Sequence, residues 1–569
     1  MRLTFVHCTN RAYADTQMFG IHFMPVWAYT LAAHLEALPD VQLVLFDDRF
    51  EARATIGEAD LFLFTGINQD FEAIAQLGEE LRLRFPRAKY AIGGPVCWSF
   101  QTAGKIERLA RFDYVFVGDG EEALPEFILA LKSGRPVPRI IAAPQRFDLS
   151  KALPMHRRLL AQTVHRYYGA IVEVSRGCPF LCEFCDIRVL PDNNRSHIKD
   201  PALIVSELDA LWDLNVRQVL FACDNFIGSH GWAEDVCDAI HAWMQATGKR
   251  MSLYTWLTID LSRHPRLLSK LRMAGFDMFF IGVESFNRSS LLETAKLQNT
   301  ALGMAEAVRG IQSYGFIVVA GLIMGFDTDP DDITEVMLDG ILRSGLISGD
   351  PSLLTALPGT PLYKRMQLSG RLRDAKLGLG GFKYQTNIKY LRPVDRIRAD
   401  FKSFVRRFNQ GAYQYSRLLA FYSCMEAPQY QPPRTSGYAD LRRLLRLVFR
   451  NSRYLYLLVL RFAMLVRSPV RVFYILRAVI LTLRKHSSQR PHWFYLKFWL
   501  FNWSNSILKY SSLSDADFDI DSVESNFNRE NILPLGYEES SEEQVAASKV
   551  RAQRNATVKA LKIFIGQGH

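Results

Sequence analysis

Twice along this chain, short apolar runs suited to strands alternate with helix-length segments, and no other feature limits the fold so strongly. Strands that alternate with helices pair in parallel, because each return to the same edge needs a crossover. The first series places strands at Arg2–His7, Val41–Phe46, Asp60–Thr65, Tyr90–Ile92 and Tyr114–Val117, with helices over Trp27–Leu38 and Asp70–Arg84. It predicts an α/β unit over residues 1–135, a doubly wound Rossmann-like sheet. The second series places strands at Ala170–Val174, Gln218–Ala222, Ser252–Leu257, Met278–Val283, Ile317–Ile323 and Ser352–Ala356. Helical segments separate them near 201–214, 232–246, 264–274, 301–314 and 331–345. Six such units predict a partial (β/α)6 barrel over 170–395, with its chemistry at the C-terminal strand ends. Residues 136–169, rich in Pro, Arg and Gln, read as a linker. After residue 395 the alternation stops. Residues 396–510 read as a helical, basic and aromatic domain, and 511–569 as a polar tail.

Directly after the first strand of the second series stands Ser175-Arg-Gly-Cys178-Pro-Phe-Leu-Cys182-Glu-Phe-Cys185-Asp, a Cys-x3-Cys-x2-Cys spacing. The chain has eight cysteines, and the other five are scattered, which does not suit a disulfide framework. A structural zinc site closes with four ligands, and His197, the nearest downstream histidine, lies in a polar stretch. A cubane [4Fe-4S] cluster is held by thiolates on its irons. Three cysteines therefore leave one iron open to a cofactor or substrate. Cys178, Cys182 and Cys185 are the expected metal ligands and catalytic centre.

This string resembles the radical S-adenosylmethionine superfamily, and the resemblance extends over residues 170–395. It implies that the open iron binds the amine and carboxylate of S-adenosylmethionine, whose cleavage yields an adenosyl radical. By the same resemblance Phe184 packs near the adenine. Asp224 and Asn225, in Asp224-Asn-Phe-Ile-Gly228, meet the methionyl amine. Glu284, in Ile281-Gly-Val-Glu-Ser285, lies at the ribose, and Ser285 is a further cofactor contact. Read without the resemblance, Gly282 is a packing glycine and Glu284 a surface charge. Gly321-Leu-Ile-Met-Gly325 and Leu357-Pro-Gly-Thr-Pro-Leu362 end the next two strands. The third strand carries Trp256 where relatives often carry an acid, which leaves its contacts open. Cys223 reads as a small buried residue.

Residues 1–135 resemble the cobalamin-binding domain that precedes the barrel in one large subgroup. The carriers are Thr65-Gly66-Ile-Asn68, Ile92-Gly93-Gly94-Pro95 and Val117-Gly118-Asp-Gly120-Glu121-Glu122. Thr65, Gly66, Gly93, Gly94, Gly118, Gly120 and Glu121 are the implied corrinoid contacts. The Asp-x-His-x-x-Gly motif is absent, so no histidine from that motif ligates cobalt. No G-x-G-x-x-G follows the first strand, which speaks against a dinucleotide. Packing without any ligand stays open as the plain alternative. Asp224–Gly228, Leu357–Pro361 and Thr386-Asn387-Ile388 look most like the hopanoid C-methylase branch. That likeness implies methyl transfer to an unactivated carbon of a lipid-like substrate, with electrons from a reductant such as flavodoxin or ferredoxin. A non-methylating cyclase or rearrangement enzyme, and a cobalamin sensor or membrane-docked binding protein, remain as rivals.

Residues 441–510 hold 14 Lys and Arg and no Asp or Glu, while the whole chain is only +11. Interleaved aromatics, as in Trp493-Phe-Tyr-Leu-Lys-Phe-Trp499, suit an anionic membrane surface. A solvated helical face and nucleic-acid binding are the other readings, nucleic acid the weaker. The N-terminus lacks the pattern of a secretory signal, and no apolar run reaches the length of a membrane span. The expected location is cytoplasmic, with peripheral association at the inner membrane face.

Overall fold

The computed structural model describes residues 1–10, 23–143, 145–190, 192–296, 303–373, 384–433 and 452–528, with 445, 447–449 and 532. The front sheet has strands β1 (Arg2–His7), β2 (Gln42–Asp47), β3 (Leu61–Thr65), β4 (Lys89–Gly93), β5 (Tyr114–Val117) and β6 (Ile140–Ala142). All its pairings are parallel, in the order β2-β1-β3-β4-β5-β6. Alternate side chains of each strand enter two different cores. Leu61 and Leu63 join helix α1 (Val26–Leu35) on one face, while Phe62 and Phe64 join α2 (Phe71–Arg84) and α3 (Pro95–Thr102) on the other. This is the doubly wound arrangement expected. The strand order turns between β1 and β3, and ligands in such sheets sit beyond the C-terminal ends at that point.

The stretch read as a linker is more ordered than its composition suggests. Besides β6 at the sheet edge, it carries α5 (Arg157–Thr163), which follows α4 (Ala123–Lys132). The Tyr29 and Thr163 hydroxyls, 2.7 Å apart, tie α5 to α1. Three apolar residues at one edge make too short a run for periodicity to reveal β6.

The barrel strands are β7 (Ala170–Glu173), β8 (Gln218–Ala222), β9 (Ser252–Leu257), β10 (Phe276–Glu284), β11 (Ile317–Met324) and β12 (Ser348–Leu353). They form a second six-stranded parallel sheet in sequential order. Helices α6 (Pro201–Asp213), α7 (His230–Thr247), α8 (Pro265–Met273), α9 (Arg288–Glu293), α10 (Met304–Gln312) and α11 (Ile333–Ser344) alternate with them. Strand β12 begins four residues before its expected place, because Asp350-Pro351 breaks the apolar pattern. Among the described residues it is an edge strand paired with β11, where a missing N–H is tolerated.

Period-two patterning again sorts the side chains. Val219, Phe221, Leu253, Phe279, Ile281 and Val318 face the outer helices in a core continuous with the front domain. Ile171, Leu220, Tyr254, Met278, Phe280 and Val319 face the concave side. That side is filled by the C-terminal helices. After α12 (Pro361–Leu368) and β13 (Gln385–Tyr390) come α13 (Val394–Phe408), α14 (Gly411–Cys424), α15 (Ser452–Val466), α16 (Pro469–Lys485) and α17 (His492–Tyr510). Tyr495, Trp499 and Trp503 of α17 are buried in the concave cluster beside Phe421 and Tyr422 of α14. Part of the aromatic segment thus plugs the half-barrel.

The first part of the polar tail is also ordered. Asp519–Ser522 forms β14, parallel to β13, and Arg373 donates to Asp519 Oδ1 at 2.8 Å. The rest of that tail, bar residue 532, and Arg442, Arg443, Arg446 and Arg450 lie outside the described residues. No helix among the described residues is long and apolar enough to cross a membrane.

Candidate active site

The three cysteines follow β7 on a loop that closes back on itself through a two-residue ladder, Ser175–Arg176 against His197–Ile198. Cys178 N–H donates to Asn193 O at 3.0 Å, and Gly177 N–H to Asp224 Oδ2 at 2.6 Å. Asp224, at the end of β8, therefore holds the turn that starts the cysteine loop. None of the three forms a disulfide, and Cys182 is buried. Burial pushes the Cys178 thiol up to about 11, and lifts Cys185 further above the usual thiol range. Thiols so placed ionise when a cation pairs with them, as metal ligation requires. The set fits an iron–sulfur cluster held by these three residues.

Among the described residues, several buried polar atoms near the loop and the adjacent strand ends have no partner: both amide atoms of Asn225, and the Ser196 and Thr258 hydroxyls. Asn225 is 1% exposed. Buried polar groups are almost always hydrogen-bonded, so this set fits a polar ligand bound beside the cysteines, as S-adenosylmethionine would be.

Glu284 is no surface charge. The β10–β11 register shifts between Gly282 and Glu284, and Glu284 takes φ +63°. Bulges re-aim side chains next to active sites, and this one turns the carboxylate inward, where its side chain is 9% exposed. There it meets Lys296 Nζ at 2.7 Å. A Cβ on Gly282 would stand 2.3 Å from Glu284 Oε1 and 2.8 Å from Lys296 Nζ, so the glycine makes room for this pair. Burial works against the Lys296 charge. Glu284 outweighs it, aided by Cys182 and Cys185, and holds the ammonium above its ordinary range. Lys296 also lies 5.6 Å from the centre of the Phe184 ring. Phe184, Glu284, Lys296 and the cysteines thus surround one site.

Lys296 was not among the residues expected from sequence, and a lone lysine in a polar stretch carries no signal. Ser285 lies in the turn after β10. It is fully buried, accepts from Asn287 N–H at 3.0 Å and donates toward Met337 Sδ. Its hydroxyl is engaged inside the turn. Cys223 shares its sulfur with the Thr255 hydroxyl at 3.2 Å, and burial pushes its thiol up to about 12, as suits a structural residue. Trp256 is half-buried at the end of β9, and its carbonyl accepts from Phe226 N–H. Thr386 and Asn387 are bound to Leu354 and Ala356 main chain, where they brace the segment after β12.

On the front domain, Thr65, Gly66, Gly93, Gly94 and Gly118 all lie along the C-terminal edge of the sheet, as the topology requires. Gly94 has φ +85°, and a Cβ there would strike Thr65 Oγ1 at 2.2 Å. Chain packing alone accounts for this glycine. Unpartnered buried groups on the same edge point more directly to a ligand: Thr9 Oγ1, Asn68 Oδ1 and Trp98 Nε1. They fit a large polar cofactor such as a corrinoid. Glu121 has another task. It is buried against Arg176, which also pairs with Glu173 at 2.8 Å and Asp119 at 3.2 Å. Arg146 joins Asp119 at 2.7 Å and Asn193 Oδ1 at 2.7 Å. The Gly118–Glu122 turn therefore ties the front sheet to the cysteine loop, a role its glycines did not reveal.

A half-barrel with three cysteines at its mouth, joined to a doubly wound domain, defines an enzyme class. The Radical SAM superfamily model matches residues 172–339, and the model described as Domain of unknown function (DUF4070) matches 360–486. The hopanoid C-2 methylase of Rhodopseudomonas palustris (strain TIE-1) is 30% identical over 422 residues, 71% of this chain and 76% of that one. An uncharacterized methyltransferase of Synechocystis is 31% identical over 64% of this chain and 67% of its own. The chain belongs to the radical S-adenosylmethionine superfamily of enzymes and, within it, to the family of these methylases. Two solved structures share the fold. One is the radical S-adenosylmethionine methyltransferase TsrM from Kitasatospora setae, with TM-score 0.55 and 13% identity, covering 81% of this chain and 99% of that one. The other is the cobalamin-dependent S-adenosylmethionine radical enzyme OxsB, with TM-score 0.57 and 15% identity, covering 93% and 83%.

Proposed function

We propose that this chain is a cobalamin-dependent radical S-adenosylmethionine methyltransferase. In this reading it carries one [4Fe-4S] cluster on Cys178, Cys182 and Cys185, and methylates an unactivated carbon of a lipid-like substrate. One observation carries it: unpartnered buried polar groups occur at two places, beside the cysteine loop and along the front-sheet edge, and Arg176 and Arg146 bind those two places together. The kinship with a hopanoid methylase supports methyl transfer and a lipid-like acceptor.

When bound, the cluster, S-adenosylmethionine and corrinoid supply radical generation and methyl transfer, chemistry no side chain here can do. The protein holds and shields them. Asn225 offers a donor and an acceptor to the methionyl end. Glu284 accepts from ribose hydroxyls, and Lys296, 2.7 Å away, fixes the position of its carboxylate. Phe184 offers a flat face to the adenine. Trp499 and Trp503 close the concave side of the barrel to water. Electrons come from a small reductant of the flavodoxin or ferredoxin class.

The test is anaerobic purification and reconstitution, with iron, corrinoid and product measured together. The expected result is about four irons per chain, lost with Cys182→Ala, and a bound corrinoid whose spectrum shows no histidine nitrogen on cobalt. Turnover with lipid extract should add the mass of one methylene. Activity without corrinoid, or full iron in a variant lacking all three cysteines, refutes the proposal. An anaerobic magnesium-protoporphyrin IX monomethyl ester cyclase of Synechocystis, 23% identical over 49% of this chain, keeps a non-methylating reaction as the second reading. A product of changed structure without added carbon would favour it.

A further inference from the structure

Helices α15 and α16 turn an apolar face outward. Tyr456, Val459 and Phe462 on α15, and Phe473, Leu476 and Leu483 on α16, are each 55–67% exposed. They recur at spacings of three or seven residues along each helix, which places them on one side. The opposite sides are spent on the protein: Leu457 and Leu465 of α15 and Ala478 and Thr482 of α16 are buried toward α17 and α14. Soluble surfaces scatter large apolar side chains singly, and a row of them along two helices marks a contact face. Exposed cations Arg467, Arg477 and Arg484 flank the stripe, and the 441–510 segment holds no acid at all.

We propose that the outer face of α15 and α16 docks this enzyme on an anionic lipid bilayer, lying flat in the headgroup layer. The inference rests on this surface alone and not on the methyl-transfer reading. Aliphatic side chains with flanking arginines match acyl chains beneath anionic headgroups. Nucleic acid is the poorer match, because Val459, Leu476 and Leu483 cannot stack on bases as aromatic platforms do. A second copy is also disfavoured, since a two-fold contact sets the same cations against one another. Neither helix can span the bilayer, so the contact is superficial. Its apolar part resists salt, while its electrostatic part is screened.

The experiment is flotation of the full-length, cluster-loaded protein with vesicles of phosphatidylcholine alone or mixed with phosphatidylglycerol. We expect flotation with the anionic vesicles, weakened but not abolished by raised salt, and unaffected by added RNA. Phe462→Ser with Phe473→Ser should weaken binding roughly tenfold or more, and Arg467→Glu with Arg484→Glu should remove the preference for phosphatidylglycerol. Iron content, corrinoid content and S-adenosylmethionine cleavage in solution should be unchanged in both variants, so this test can fail while the catalytic assignment stands. Absence of flotation with either vesicle, variants that float like the parent, displacement by RNA, or an oligomer that the serine variant dissolves would each overturn the proposal.

Discussion

Glu183 sits between Cys182 and Cys185, and its carboxylate meets the Arg365 guanidinium in two bonds of 2.6 and 2.7 Å. The two side chains are 2% and 6% exposed. Arg365 comes from α12, directly after Leu357-Pro-Gly-Thr-Pro-Leu362, so the pair joins the mouth of the first strand to the far edge of the barrel. Arg365→Met leaves a buried carboxylate without its counter-charge, at a cost of about 3–5 kcal/mol. For a unit of this size that lowers the barrel's unfolding midpoint by roughly 10 °C. Glu183→Met should cost a similar amount. Combining the two places an apolar pair where the ions stood, which is often neutral, so the double variant should recover most of the loss. The coupling is then on the order of 3 kcal/mol. Thermal unfolding of anaerobic protein, followed by circular dichroism alongside iron analysis, measures it. The double variant should keep its iron, because the Glu183 main chain is held independently, by Thr294 O at 3.0 Å and Leu362 N–H at 3.1 Å. Additive losses in the double variant would show that the pair does not act as a unit and would refute this reasoning.

Other expectations follow from single sites. Gly359 has φ +79°, and a Cβ there would meet Thr102 Cγ2 of the front domain at 2.4 Å and Val189 Cγ1 at 2.6 Å. Gly359→Ala should cost about 1–3 kcal/mol, and Thr102→Ser should return only part of it, since the backbone strain remains; full recovery in thermal melts would contradict this. Burial first, then the Asp327 charge, pushes Glu293 up to about 7. The folded protein then holds a proton there that the unfolded chain, near pH 4.3, has already lost. This group's contribution falls as pH rises between those values. Glu293→Gln should flatten that slope and add on the order of 2 kcal/mol at pH 8, and an unchanged pH–stability curve would count against it. Arg176→Met strands Asp119, Glu121 and Glu173 together, and should expose the junction of front domain and barrel to limited proteolysis. A cleavage pattern identical to the parent would argue that the network is ornamental.

Most of the architecture was legible because burial repeats. Strands β1, β5, β8 and β9 match their apolar runs residue for residue, and most others differ by one or two. The failures are elements whose formation depends on a neighbour. β6 is three residues at an edge, β12 holds a proline, and β14 reads Asp-Ile-Asp-Ser and exists through β13. The site divides the same way. Cysteines, Asn225 and Glu284 stand in local motifs. Their supports do not: Lys296 lies 12 residues from Glu284, Arg176 55 from Glu121 and Arg365 182 from Glu183. Charge pairs of that separation leave no period in a sequence.

These hidden pairs share a target. Arg176 reaches from the cysteine loop to the front-domain turn, Arg146 bonds that turn and the loop's Asn193, Arg365 comes from the last barrel unit, and Lys296 from the turn after α9. On the function proposed here, a cluster held by three thiolates on one loop gains no rigidity from a distant fourth ligand. The loop must therefore be fixed by its surroundings, because a displacement of about 1 Å can cost a reaction two orders of magnitude. Buried ion pairs suit this better than apolar contacts. Their geometry is directional, and losing one partner is costly enough to make alternative loop positions rare. The same logic accounts for the acidic turn after β5. A glycine-rich turn at a sheet edge is free to bind a ligand, but here its carboxylates grip the arginine two residues before the first cysteine. That couples the position of the front domain to the position of the cluster, as a reaction passing a group between two cofactors would need.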